Sequence, residues 1–262
     1  MKSGSQIRSS STLLAIFLGC CLVACTQTHE THPQKFKKAT PAVIAETDMQ
    51  LAIEFLREGK MTDSRDSIER ALAENPANAN VQMTAGLIYE RLNEPRKEER
   101  AYSTGYRLGK DDPNIQNNYA GYLCRSGKAP EGEKLFAQVA HSPLYQTPEV
   151  ALVNAGVCVR GTGDLVDAEK YFNQALAIRP NMPEAMLELA SIALDSGDAA
   201  QAREIVQRYL AVNVPTAEVL WLGVRAERKL GDSVAAAAYA RRVQTEFPDS
   251  EQAKAMRSGI ER

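Results

Sequence analysis

The sequence predicts an all-α fold, a right-handed superhelix of six two-helix repeats, on three observations. Ala, Leu, Glu, Arg and Gln dominate much of the chain, which favours helix, and aromatics make up only 6% of it. A small residue followed by a charged one recurs at Gly59-Lys60, Asn93-Glu94, Gly127-Lys128, Gly163-Asp164, Gly197-Asp198 and Gly231-Asp232, at spacings of 34, 34, 36, 34 and 34. Other positions keep step with it. Five after each turn residue stand Ser64, Glu98, Gly132, Ala168, Ala202 and Ala236, and four further on Ile68, Tyr102, Phe136, Phe172, Val206 and Ala240. A fixed period of this length marks stacked helical pairs, which together bury a core that no single pair buries alone. An irregular bundle does not account for six evenly spaced turns.

The chain opens with Lys2 and Arg8 and has no acidic residue before Glu30. Leu13 to Val23 is apolar apart from Gly19 and two cysteines. This run is too short to span a membrane, which takes about 20 residues, and has the length of the apolar core of a secretory signal. The stretch "LVAC", Leu22 to Cys25, closes it and resembles the lipobox of bacterial lipoproteins. That resemblance implies a leader over 1–24, a mature chain beginning at an acylated Cys25, and, with Thr26 next, the outer membrane. More than one acyl chain gives stable anchoring where one is marginal. An ordinary signal peptide cut elsewhere is the other reading. Loss of the leader leaves 29 basic against 33 acidic residues, a net charge near −4 that does not suit nucleic acid.

Residues 25–41 are polar and aperiodic and are expected to be a flexible tether, reaching about 20–24 Å. His29 and His32 within it read as solvated side chains rather than metal ligands. The repeat domain is expected over 42–262, with its six units filling residues up to about 250. Gly and Asn suit the left-handed conformation at a helix C-terminus. Pro76, Pro180 and Pro248 each fall 17 residues after a turn residue, where a second helix stops. The stretch "GDLVDAEKYFNQALAIRP", Gly163 to Pro180, resembles the second half of a tetratricopeptide repeat. "TAGLIY" and "NAGVC", with Gly86 and Gly156, match the small-residue crossing of its first helix. The second repeat is the least regular, with Glu98 and Gly105 where alanine is usual. The sixth has no large aromatic at the second-helix position and carries Trp221 early, as packing or part of a cap.

No catalytic arrangement stands out. His141 stands alone, no glycine-rich phosphate loop occurs, and the Glu-Lys and Glu-Arg neighbours are those of solvated helix faces. A non-enzymatic monomer without cofactor, metal or nucleic acid is expected. Cys124 and Cys158 lie 34 residues apart in the first helices of repeats three and four. Neighbouring helices of this kind and an oxidising compartment invite a disulfide; two buried thiols are the alternative. The register is a point against the bond, since Cys124 precedes its turn residue by three and Cys158 by five; the two extra residues between these repeats are one way to compensate.

"NNYAGYLCRSGKAPEGEKLF" (Asn117 to Phe136), "SPLY" (Ser142 to Tyr145) and "NAGVCVRGTGDLVDAEKYF" (Asn154 to Phe172), with the lipobox and six repeats, resemble the PilF/PilW family of type IV pilus biogenesis lipoproteins. The resemblance implies a disulfide between Cys124 and Cys158. It also implies a pilotin that binds subunits of the secretin PilQ, places them at the outer membrane and promotes their assembly, so that pili and twitching motility depend on it. A general scaffold for envelope enzymes is the alternative, because repeats define a surface and not a partner.

First helices of such repeats line the concave face. Met49, Ile53, Met83, Leu87, Val153 and Val157 recur on it by spacing, with Asn80, Asn117, Asn118 and Asn154 beside them. An apolar stripe flanked by amides is expected to take an extended or helical partner segment. Packing between repeats is the competing role for each apolar residue.

Overall fold

The structure, a computed structural model, describes residues 39–259. Cys25, His29, His32, the expected leader and nearly all of the tether lie outside the described residues. Among the described residues, thirteen helices follow one another as six pairs and a last single helix. The pairs are α1 (Pro41–Arg57) with α2 (Met61–Glu74), α3 (Ala79–Arg91) with α4 (Pro95–Leu108), and α5 (Pro113–Arg125) with α6 (Ala129–Ala140). Then come α7 (Pro148–Arg160) with α8 (Leu165–Ile178), α9 (Pro183–Asp195) with α10 (Ala199–Val212), and α11 (Ala217–Lys229) with α12 (Ser233–Glu246). The last, α13 (Glu251–Ser258), lies beyond the repeats read from the sequence and packs on α11 and α12. Each first helix also contacts the first helix of the next pair, so α1, α3, α5, α7, α9 and α11 form one inner row of a superhelix.

Each pair is hinged where the sequence places a small residue. Gly59, Asn93, Gly127, Gly163, Gly197 and Gly231 all have positive φ, from 56° at Asn93 to 91° at Gly163. This left-handed step lets the next amide close the helix end, as Lys60 N does on Phe55 O and Asp198 N on Ala193 O, both at 2.8 Å. In the last three pairs the following aspartate also starts the second helix. Asp164, Asp198 and Asp232 accept from Asp167 N, Gln201 N and Ala235 N at 3.0, 2.9 and 2.9 Å. Such a cap is worth about 1 kcal/mol. The dipeptide Gly-Asp thus ends one helix and begins another.

The two helices of a pair cross where a residue without bulk meets a large one 16 positions later. Gly86 faces Tyr102 and Gly156 faces Phe172, where an added Cβ would lie 2.8 Å and 2.7 Å from the ring. Ala52 with Ile68, Ala120 with Phe136, and Ala190 with Val206 occupy the same positions and share core clusters. The sixth pair departs from the sequence expectation. Gly223 meets Tyr239, not Ala240, with the ring 3.0 Å from an added Cβ. An aromatic is therefore present, one residue early, because the segment from Ala190 to Gly223 is one residue short and the segment to Gly231 one residue long. Trp221 is half-buried, with the Arg228 guanidinium 6.0 Å from its ring centre.

Of the irregular residues of the second repeat, Gly105 answers to packing. Gly105 lies where a Cβ would meet Met83 Cε at 2.8 Å. Glu98 is half-buried, and desolvation followed by the charge of Glu90 raises its carboxyl pKa. Tyr102 stacks on Tyr122 at 4.9 Å, and Tyr106 on Tyr119 at 4.3 Å, joining repeats two and three. Arginines tie neighbouring repeats on the polar side. Arg160 holds Glu188, Ser191 at 2.8 Å and Asp195 at 3.0 Å. Arg203 reaches both oxygens of the buried Glu227 from its Nε at 2.9 Å. A buried carboxylate needs such a partner, since desolvation otherwise outweighs any gain.

Two outcomes follow. Gly156→Ala is expected to lower the unfolding free energy by about 1–3 kcal/mol, the usual cost of overpacking, measured by urea denaturation. Burial pushes the Tyr102 phenol up to about 12, with Arg125 acting in the opposite direction. An unfolded tyrosine ionises near 10, so the folded state keeps a proton that the unfolded chain releases. That contribution is complete below about pH 10 and is lost as the pH rises toward the folded value. Stability is expected to fall over this range, and less steeply in Tyr102→Phe.

Candidate partner-binding groove

Numbering each inner helix from its crossing residue shows how the groove is built. Two positions before that residue stand Gln50, Thr84, Asn118 and Asn154, on α1, α3, α5 and α7. All four line one cavity of about 790 Å³ along the inner row. One position after it stand Ile53, Leu87, Gly121 and Val157, of which the last three line the cavity. Three before it, Met49 and Met83 reach the same space. A period set by helix crossing therefore repeats a polar row beside an apolar one, each spaced by the distance between neighbouring helices, about 8–10 Å.

Most of the stripe read from the sequence comes together here. Met49, Asn80, Met83, Leu87, Asn117, Asn118, Asn154 and Val157 all line the cavity. Ile53 and Val153 do not, and both pack between repeats. Ile53 lies against the cluster that contains Ile68 and Ile88. Val153 is buried with Leu152, Phe172 and Met182. Val153 holds the position that methionine holds in the first two repeats. A short β-branched side chain there stays in the core, whereas a long unbranched thioether extends to the cavity wall.

The cavity has further residues that were not singled out from the sequence. Glu46, Gln50, Thr84, Gly121 and Arg125 lie on its walls, and the rings of Tyr102 and Phe136 come from second helices through the gaps of the inner row. Counting from the crossing residue finds Gln50 and Thr84; the spacing of apolar residues alone does not. The walls mix polar and apolar groups and carry few charges. Gln50 donates to Glu46 at 3.1 Å, and Asn154 donates to Asn117 at 3.2 Å across α7 and α5. Arg125 lies 2.7 Å from the Glu90 carboxylate and donates to the Tyr102 hydroxyl at 3.2 Å. The polar row ends at Glu188, which Arg160 engages.

The same wall carries Cys124 and Cys158, whose sulfurs are at bonding distance, 1.99 Å, with Cα atoms 5.5 Å apart. The register that tells against the pair in the sequence is what the geometry requires. Cys124 lies four after its crossing residue and Cys158 two after, a difference of about 200° around a helix with 3.6 residues per turn. Adjacent helices of a parallel row show each other opposite faces, so equivalent positions point the same way and cannot meet. The two extra residues of this repeat play no part in it, because they fall before Gly156, where the α6–α7 connection spans 141–147 and the other inter-repeat connections have four residues. Among the described residues no group of three His, Cys, Asp or Glu is placed to hold a metal ion. No described helix is long and apolar enough to cross a membrane.

Comparison with known proteins agrees with this architecture. Family models for the tetratricopeptide repeat match residues 49–113 and 160–222. The type IV pilus assembly protein PilF of Pseudomonas aeruginosa is 21% identical over 237 residues, covering 90% of this chain and 94% of that one. Its solved structure superposes with a TM-score of 0.64 at 20% identity, over 82% of this chain and 97% of that one. The crystal structure of PilW, described as a widely conserved type IV pilus biogenesis factor, aligns at 30% identity with a TM-score of 0.71. It covers 81% of this chain and 98% of PilW. The chain therefore belongs to the PilF/PilW family of tetratricopeptide-repeat proteins of type IV pilus biogenesis.

Proposed function

We propose that this protein is an outer-membrane lipoprotein pilotin, which binds PilQ secretin subunits and promotes their localisation and assembly into the multimer through which pili emerge. The observation that carries this reading is the inner-row groove, in a chain 30% identical to PilW. A groove with an uncharged polar row beside Leu87 and Val157 holds a protein segment by apolar contact and by hydrogen bonds at once. The lipobox ending at Cys25 supports anchoring by acyl chains, and the periplasmic face follows from it. A sulfur bridge from Cys124 to Cys158 suits the same oxidising compartment and fixes α5 against α7 at the groove wall.

The size of the secretin oligomer on a non-dissociating gel tests the reading. In a strain lacking this protein the heat-resistant multimer is expected to disappear and twitching to stop. The wild-type gene is expected to restore both, while Cys25→Ala fails through loss of the anchor and Leu87→Glu with Val157→Glu fails through loss of the groove. A normal multimer without the protein overturns the pilotin reading and leaves a general envelope scaffold in its place.

Closing a loop of sequence separation 34 is worth about 3–4 kcal/mol by the chain-entropy relation. The double variant Cys124→Ser, Cys158→Ser is expected to lose about that much stability by denaturant titration. The wild-type protein under reductant is expected to match it.

A further inference from the structure

Gly121 is less confined than the crossing glycines. It sits inside α5, its φ is not positive, and an added Cβ would meet only the tip of Arg125 at 3.3 Å and Phe136 Cζ at 3.9 Å. Gly86 and Gly156, by contrast, face rings at less than 3 Å. A glycine inside a helix is less favourable than alanine, and an added Cβ here would ask only the Arg125 tip to move, by a few tenths of an ångström. What the glycine creates is a gap in the apolar row. Leu87 and Val157 stand on either side, one per neighbouring helix, with the Phe136 ring beneath and Val157 48% exposed.

The polar row indicates what kind of chain passes over this notch. Gln50, Thr84, Asn118 and Asn154 recur once per helix, at about 8–10 Å. A polyproline-II or similarly extended chain advances about 9 Å in three residues and leaves its backbone groups free. An α-helix rises about 1.5 Å per residue and has already used those groups internally. The carboxamides of Asn80 and Asn118 make no hydrogen bond with any described residue. Charge complementarity restricts the occupant further. Between Glu46 on α1 and the Arg160–Glu188 pair beyond Asn154, the row of Gln50, Thr84, Asn118 and Asn154 carries no charge, and Arg125, one turn beyond Gly121 on α5, is already paired with Glu90. A charged residue in the middle of the occupant would be desolvated without a partner, and the Glu46 end favours a basic one.

We infer that the groove takes an extended partner peptide with an uncharged centre, paired through its backbone to the polar row, with one apolar side chain lodged over Gly121. This rests on the groove being the partner site. Short overlapping peptides tiled along the secretin subunit are the probe, titrated by fluorescence anisotropy against the full chain in detergent. At least one is expected to bind the wild-type protein, and a helix-stapled version of it to bind about tenfold more weakly or worse. Gly121→Leu is expected to weaken binding about tenfold or more, the worth of one blocked apolar subsite, without a lower melting temperature. Gly121→Ala is expected to bind close to wild type and melt higher. Wild-type affinity in Gly121→Leu, with binding lost in Leu87→Glu, overturns the notch and leaves the groove standing. Binding intact in both variants, or no peptide bound by the wild type, removes the groove itself. A lower melting temperature in Gly121→Ala assigns the glycine to packing, and equal binding of the stapled peptide overturns the extended conformation.

Discussion

The close crossing of the two helices within each pair is the contact on which the rest of the molecule depends. A residue with little or no side chain on the first helix lets the second approach, and a large side chain 16 positions on fills the remaining space. Neither helix buries its apolar face alone; together they present a new face to the next pair. Because the crossing recurs with the same partners, successive first helices line up, and positions equally far from their crossing residues form straight rows. The groove is a consequence of that regularity. Where the partners shift, as at Gly223 with Tyr239, the shift is local and the next turn at Gly231 is still left-handed.

Charge is kept to the margins of this arrangement. The arginines that join repeats, Arg160 and Arg203, are matched to carboxylates on the adjoining first helix. At the groove, Arg125 faces Glu90 and lies against Tyr102. The inner wall is left with amides, hydroxyls, thioethers and aliphatic groups. A surface of this kind is suited to recognition by shape and backbone more than by charge.

Most of the architecture was legible in the sequence, because its governing signal is a period and a period survives irregular single copies. All six turn residues stand where the spacing put them, and the first five crossing partners follow from the same count. The sixth did not, since one residue moved from one side of Gly223 to the other and left the total period unchanged. The helix α13 ends at a left-handed glycine, Gly259, but this falls 28 and not 34 positions after Gly231, outside the period, and α13 has no paired second helix among the described residues. In the groove, spacing of apolar residues placed Leu87 and Val157 but also Ile53 and Val153, which have suitable polarity and lack the reach or the opening. The Cys124–Cys158 register looked unfavourable because equivalence along a chain was taken for proximity in space; helices side by side meet through non-equivalent positions.

A linear array of repeats comes apart differently from a globule. Each unit is held by its immediate neighbours, so loss of order begins at the termini and moves inward one pair at a time. A covalent link between α5 and α7 sits at the middle of this array. Fraying from either end meets it before the central pairs separate, so a protease acting on opened termini trims the outer pairs first. Repeats three and four, with the wall that carries Asn118 and Asn154, are the part that outlasts such wear.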